Sequence, residues 1–163
     1  MSSALTIILA PVAGLCVGVR RAIKTALDSR APVFGPLVHN RQVLDDLRRN
    51  GITVLDNGET PESLAADGIK TVVLTAHGCP VDIRERLSAA GIRAIDATCD
   101  ILRQTVYQRI RDIESSGGRV VIIGDPRHAE VIAARSLSRT AQGVGSFEDI
   151  SSIETGLAEV VAI

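Results

Sequence analysis

Residues 71–80 read TVVLTAHGCP, and they set the frame for the rest of the chain. Thr71 to Ala76 is a short apolar run rich in β-branched residues, the composition of a buried strand. His77, Gly78 and Cys79 follow at once, and Pro80 opens a helical segment, VDIRERLSAAG, that ends at Gly91. In an open α/β sheet, ligands bind beyond the carboxyl ends of the strands, where helix N-termini point at them. The other two histidines of the chain occupy equivalent places: His39 ends PVFGPLVHN, and His128 closes the loop after RVVIIGDPR. Three histidines at three strand ends mark a site.

Outward from this stretch, the order strand, loop, helix repeats. LTIILAP, from Leu5, predicts a strand, and GVRRAIKTALDSR, from Gly18, a helix. PVFGPLV predicts a short strand, RQVLDDLRRNG a helix closed by Gly51, and ITVLD another strand. A polar stretch, Asn57 to Gly68, precedes the central strand. Beyond it, IRAID predicts a strand, Ile101 to Glu114 a helix stopped by Ser115 to Gly118, RVVIIG a buried strand, and Ala129 to Leu137 a helix. The rest is less regular until EVVAI. The fold class is therefore α/β, with repeated parallel βαβ units, small sheets and right-handed crossovers. The expected boundary lies near Thr98 to Asp100. It divides the chain into an N-terminal strand (1–10), a first α/β domain (11–98) and a second (99–163). Earlier strands each lead into a loop and a helix, whereas nothing follows EVVAI, so the second domain is expected to be incomplete.

With 163 residues, 45% hydrophobic and 23% charged, the chain is globular rather than disordered. A formal net charge of −1 with scattered cations argues against a nucleic-acid-binding face, and one Tyr, two Phe and no Trp leave no platform for base stacking. The apolar run Ala4 to Val19 lacks a basic leader, is broken by Pro11 and Gly14, and is short for a membrane span. A cytoplasmic protein without a membrane segment is expected. Its three cysteines then face reducing conditions as free thiols or metal ligands.

Cys16, in AGLCVGVRRAI, and Cys99, in IDATCDI, each stand in a loop before a helix, where the positive end of the helix dipole favours a thiolate. Free cysteines also pack as small hydrophobes, and that reading stands beside the functional one for either alone. Cys79, between Gly78 and Pro80, reads as incidental. Converging imidazoles bind an anion such as a phosphate, although a strand-end histidine often only hydrogen-bonds nearby backbone. Glu130, two residues after His128, reads either as a solvated first-turn glutamate or as a proton donor. Neither G-x-G-x-x-G nor G-x-x-x-x-G-K-[ST] occurs. A low-molecular-weight cysteine phosphatase is a weak alternative. Its C-x5-R loop would need arginine where Ala22 stands, with Arg21 one place early, while Asp125-Pro126 would supply its acid.

LCVGVRRAI, VHNRQV, TAHG, DATC and GDPRHAEV, in this order between residues 15 and 131, resemble the signature segments of the 4-hydroxy-3-methylbut-2-enyl diphosphate reductase (LytB-like) family. The resemblance implies the terminal step of the non-mevalonate isoprenoid pathway and three α/β domains around a [4Fe-4S] cluster. Cys16 and Cys99 match cluster cysteines, His39, His77 and His128 the histidines that hold the substrate diphosphate, and Glu130 the glutamate that relays a proton to the leaving hydroxyl. It also implies a small allylic diphosphate as substrate and an electron donor such as ferredoxin or flavodoxin. The third cluster cysteine, a threonine after the EVVAI-like strand, and a later serine and asparagine of the diphosphate cradle have no counterpart here. The family pattern also has proline at Ala129. The resemblance thus covers about half of the family's architecture, with the third domain expected to be absent and self-association expected of the surfaces that would face it. A non-catalytic diphosphate-binding relative without the cluster is the alternative.

Overall fold

The computed structural model describes residues 7–162 apart from 9, 12, 56–57, 147, 150–152 and 154–157; of residues 158–162 it describes the backbone. Its helices are α1 (Val17–Ser29), α2 (Arg41–Arg49), α3 (Pro61–Ala66), α4 (Val81–Ala89), a π-helical segment (Leu102–Tyr107) running into α5 (Gln108–Ser115), and α6 (Ala129–Arg135). The strands are β1 (Thr71–Val73), β2 (Arg93–Ile95), β3 (Arg119–Ile123), β4 (Gln142–Val144) and β5 (Ala158–Ala162).

Every strand pair is parallel, as short strands separated by helices require. β1 pairs with β2, Val72 opposite Ala94. β3 lies between β4 and β5, Val121 opposite both Gln142 and Val160. β1 holds Val72 and Val73 fully buried, and Leu74 beyond it is buried too. β3 reads intermediate, buried, buried, buried, exposed, the near-continuous burial of a sheet covered on both faces.

PVFGPLV and ITVLD shrink to single bridges. Val33 pairs in parallel with Val54 on one side and Val73 on the other. Val33 N–H donates to Thr53 O (2.8 Å) and Val73 N–H to Pro32 O (2.9 Å), so the chain is central to the layer for one residue. Gly35, in the left-handed region at φ 91, and Pro36, which has no N–H, then stop the ladder. Of the expected first strand, Leu5, Thr6 and Leu9 lie outside the described residues. Ile7 and Ile8 are in no strand and are 75% and 89% exposed. The polar stretch from Asn57 contains a helix, α3. Thr60 and Ser63 close a reciprocal capping box around it, with Pro61 in its first turn.

Three apolar clusters support these elements. Ala22 and Ala26 of α1 pack with Val33, Leu37, Val43 and Leu47. Leu64, Val72, Leu74 and Leu87 form a second cluster, and Ile110, Val120, Ile122 and Val131 belong to a third. No described helix is long and apolar enough to cross a membrane.

Candidate functional site

The ends of three parallel segments deliver the three histidines. Val33 leads through Gly35-Pro36 to His39, β1 leads to His77, and β3 leads to His128. The rings meet. His39 stacks on His77 with centroids 4.2 Å apart and 26° between planes. His39 and His128 are 4.8 Å apart, and His77 and His128 stand edge to face at 5.7 Å.

Two of the rings have a fixed role on their protein side. His77 Nδ1 lies 3.0 Å from Glu130 Oε1 and donates its proton there. His77 Nε2 is buried with no hydrogen-bond partner among the described residues. His128 caps α6: its Nδ1 accepts the Glu130 backbone N–H at 3.3 Å, which leaves its proton on Nε2. Asn40, next to His39, caps α2 by accepting Val43 N–H at 3.2 Å. The caps fix where the histidines leave the backbone.

Burial and the neighbouring groups set the charge of the cluster. Burial, then the neighbouring His77 and His128, push His39 below its ordinary 6.5. The hydrogen bond from His77 holds Glu130 below the usual carboxylate range, against the opposing effect of its burial. Three imidazoles gathered within 6 Å repel one another's protons, and a multiply charged anion relieves that repulsion. A 230 Å³ cavity beside them is lined by His39, Thr75, Gly78 and Arg127 together with apolar side chains. A 290 Å³ opening is lined by His128, Glu130, Asp125 and Val131. A larger cavity, of 460 Å³, lies on the Arg84, Arg103 and Tyr107 side. It holds none of the histidines.

Cys16 is exposed and stands at the N-cap of α1, its carbonyl accepting Arg20 N–H at 3.0 Å. Cys99 is half-buried; its carbonyl accepts Arg103 N–H at 3.0 Å, and its N–H donates to Ala76 O at 3.0 Å. α1 is seated on Cys99 at Gly18, where a Cβ would lie 2.6 Å from Cys99 Sγ. Arg21 ties the two loops by pairing with Asp100 at 2.9 Å and donating to Thr98 O. That engagement turns Arg21 away from the role a phosphate loop would give it. Cys79 is buried, which pushes its thiol up to about 11. It is a packing cysteine, wrong for a thiolate ligand.

Two thiols at helix starts are suitable donors for an iron–sulfur cluster in kind. They are too few in number: no group of three or more His, Cys, Asp or Glu able to hold a metal occurs among the described residues. The described residues supply part of such a ligand set.

Three residues around the site were not read from the sequence as functional. Tyr107 donates its hydroxyl to His77 O at 3.2 Å. Thr75 Oγ1 donates to Gly78 O at 3.0 Å, and Arg84 pairs with Asp96 at 3.0 Å beside Thr98. Tyr107 carried one visible signal: it is the chain's single tyrosine, placed in a helical register.

Fold and site together define an α/β protein with three histidines clustered at its strand ends and thiols at two helix starts. The chain belongs to the LytB protein family, whose profile matches residues 7–162. The 4-hydroxy-3-methylbut-2-enyl diphosphate reductase of Alkaliphilus oremlandii (strain OhILAs) is 34% identical over 155 residues, covering 90% of this chain and 53% of that protein. The enzyme of the same name from Aquifex aeolicus (strain VF5) is 32% identical over 154 residues, covering 88% and 51%. A solved structure of (E)-4-hydroxy-3-methyl-but-2-enyl diphosphate reductase, described as the terminal enzyme of the non-mevalonate pathway, superposes with a TM-score of 0.76. It is 29% identical and is matched over 96% of this chain and 57% of its own. The reductase from Plasmodium falciparum shares the fold at the same TM-score, 0.76, with 24% identity. The chain spans about half the length of the curated relatives it matches.

Proposed function

We propose that this chain carries the diphosphate-anchoring and proton-donating part of a 4-hydroxy-3-methylbut-2-enyl diphosphate reductase, its residues 11–98 and 99–163 forming two α/β domains of that enzyme. The observation that carries the reading is the meeting of His39, His77 and His128 within 4.2–5.7 Å, with Glu130 on His77. His77 Nε2, His128 Nε2 and the His39 ring are left to meet a ligand, and imidazolium N–H groups make charge-assisted hydrogen bonds to phosphate oxygens. The substrate's own charge raises the proton affinity of His39 and of Glu130, so the anion draws protons into the pocket. Glu130 then holds the proton that leaves with the substrate hydroxyl as water. The balanced conversion takes two electrons and two protons, and gives isopentenyl or dimethylallyl diphosphate and water.

Cys16 and Cys99 are the residues of this chain that would hold a [4Fe-4S] cluster. When bound, that group supplies the electrons, received from a donor such as ferredoxin or flavodoxin. A second reading, a diphosphate-binding relative without the cluster, is favoured by the absence of a three-ligand group among the described residues.

Calorimetric titration with pyrophosphate tests the anchoring role. His39→Ala, His77→Ala and His128→Ala should each weaken binding by roughly tenfold or more, the effect of losing one charge-assisted contact. Three variants binding like the parent would exclude the shared pocket. Anaerobic iron and sulfide treatment separates the two readings. Visible absorption lost in Cys16→Ser and Cys99→Ser supports the reductase, and a colourless parent supports the binding relative.

A further inference from the structure

We infer that Tyr107 is a positioning residue for His77: its hydroxyl holds the turn of TAHG by the His77 carbonyl, so that the imidazole meets Glu130. The inference rests on the anchoring role proposed above for His77.

The turn is fixed carbonyl by carbonyl. Ala76 N–H donates to Leu37 O (3.0 Å), and Ala76 O accepts Cys99 N–H (3.0 Å). Gly78 N–H donates to Thr75 O (3.2 Å), and Gly78 O accepts the Thr75 hydroxyl (3.0 Å). Between them, His77 O is held by the Tyr107 hydroxyl at 3.2 Å. One stretch of chain, Cys99 to Tyr107, therefore grips two consecutive peptide groups of the site loop, one from each of its ends.

The spacing between the two grips is set by the π-helical turn at Leu102–Tyr107. A π turn closes its hydrogen-bonded ring with one residue more than an α turn. Since an α-helix turns about 100° per residue, the extra residue re-aims everything that follows by about that angle. Such turns cost regular hydrogen-bond geometry, and they cluster where a side chain must be aimed.

The fit around the hydroxyl is close. Tyr107 is 4% exposed, so its polar end needs a partner, and the His77 carbonyl is that partner. Burial pushes the phenol's pKa up, so the group remains a donor throughout the working range. Gly78 has φ 96, and a Cβ there would lie 1.9 Å from the Tyr107 oxygen and 3.1 Å from Cζ. Glycine at this position serves the left-handed turn and also leaves room for the hydroxyl to reach past it.

Tyr107→Phe removes the hydroxyl alone. The first readout is an NMR titration of the Glu130 carboxyl without ligand. Its carboxyl is held below 4.5 first by the His77 hydrogen bond, with His128 and His39 adding to it. A positioning role predicts a shift upward toward 4.5, whereas a role in packing alone leaves the titration where it was. The second readout is pyrophosphate affinity, expected to fall roughly three- to tenfold, the range for one lost neutral hydrogen bond. Gly78→Ala provides an independent variant, because it displaces the hydroxyl while keeping Tyr107, and it should move Glu130 the same way. Both variants folding with Glu130 titrating as in the parent would overturn the inference. So would loss of the fold in both, which would make Tyr107 a core residue. The ligand-free titration also keeps the two claims apart: a parent that fails to bind pyrophosphate overturns the anchoring role, while the Glu130 shift still decides the role of Tyr107.

Discussion

Gly18→Ala tests how α1 is seated on Cys99. Gly18 is the second residue of the helix and is buried. A Cβ there would stand 2.6 Å from Cys99 Sγ, 3.3 Å from Cys99 Cβ and 3.8 Å from its Cα. Ordinary contacts between non-bonded heavy atoms lie near 3.5–4.0 Å, so the thiol must retreat by about 1 Å. The obstacle is the tip of a side chain and not backbone, so rotation about one torsion suffices. An off-rotamer torsion costs about 0.5–1.5 kcal/mol. The helix gains up to about 1 kcal/mol from replacing glycine by alanine, and less in its first turn. The two effects nearly cancel, and Tm should move by no more than about 4 °C, the shift produced by about 1 kcal/mol in a chain of this size.

The geometric consequence does not cancel. Cys99 faces a small cavity, 40 Å³, lined also by Val17, Arg21, Asp100 and Ile101, and the displaced thiol must move into it. Alkylation by iodoacetamide, followed site by site by mass spectrometry beside thermal unfolding, reads both effects. Cys99 should be modified severalfold faster than in the parent while the fold is kept. A Tm loss beyond about 10 °C would mean that backbone, and not the thiol, meets the new methyl group. An unchanged rate at Cys99 would show that Gly18 does not seat it. Either result refutes the reasoning.

Leu74→Ala, at a fully buried position one residue before Thr75, should cost about 2–5 kcal/mol by chemical denaturation; a loss below about 1 kcal/mol would contradict the packing around β1. Glu130 has a folded pKa below 4.5, so its contribution to stability is present above about pH 4.5 and is lost as pH falls through the folded value. Glu130→Gln should therefore flatten the pH dependence of unfolding in that acid range, and a slope equal to the parent's would remove the His77 hydrogen bond as its cause. His39 sits below 6.5, and a bound diphosphate would raise it, so pyrophosphate binding should take up protons and strengthen as pH falls toward the lowered His39 value. Calorimetry in two buffers of different ionisation enthalpy measures the uptake, and affinity that grows with pH would reverse the argument.

The parallel α/β order was legible because β-branched runs, helical periodicity and glycine stops alternate along the chain at short intervals. RVVII before Gly124 is a strand over its whole length, whereas of the TVVLTA run before His77 only Thr71–Val73 is strand. Strand length was less legible. PVFGPLV looks like a strand by composition, but Gly35 and Pro36 leave it one bridging residue, Val33. α3 was hidden because its signal is a cap, Thr60 to Ser63, and not an apolar stripe: of its six residues only Pro61 and Leu64 are buried. β4 was hidden for a related reason. QGV carries a glycine at its centre and takes its place only because β3 offers an edge. The π turn has no sequence mark that periodicity alone reveals.

The histidines could be placed at strand ends from sequence, but not which atom of each would face a ligand. That depends on pairings across 53 positions for His77 and Glu130 and across two for His128 and the Glu130 N–H. These pairings give the site its chemistry. An assembly of imidazoles alone would shed protons and lose charge as the rings approach. Glu130 accepts a hydrogen bond from His77 Nδ1, yet its own carboxylate opposes an incoming anion. In the proposed role the pocket would therefore bind a diphosphate best after gaining a proton, and Glu130 would be among the groups whose proton affinity the anion raises. A dehydroxylation consumes protons at the leaving oxygen. In the proposed reaction, then, the charge that anchors the substrate also draws a proton to the carboxyl that must give one up.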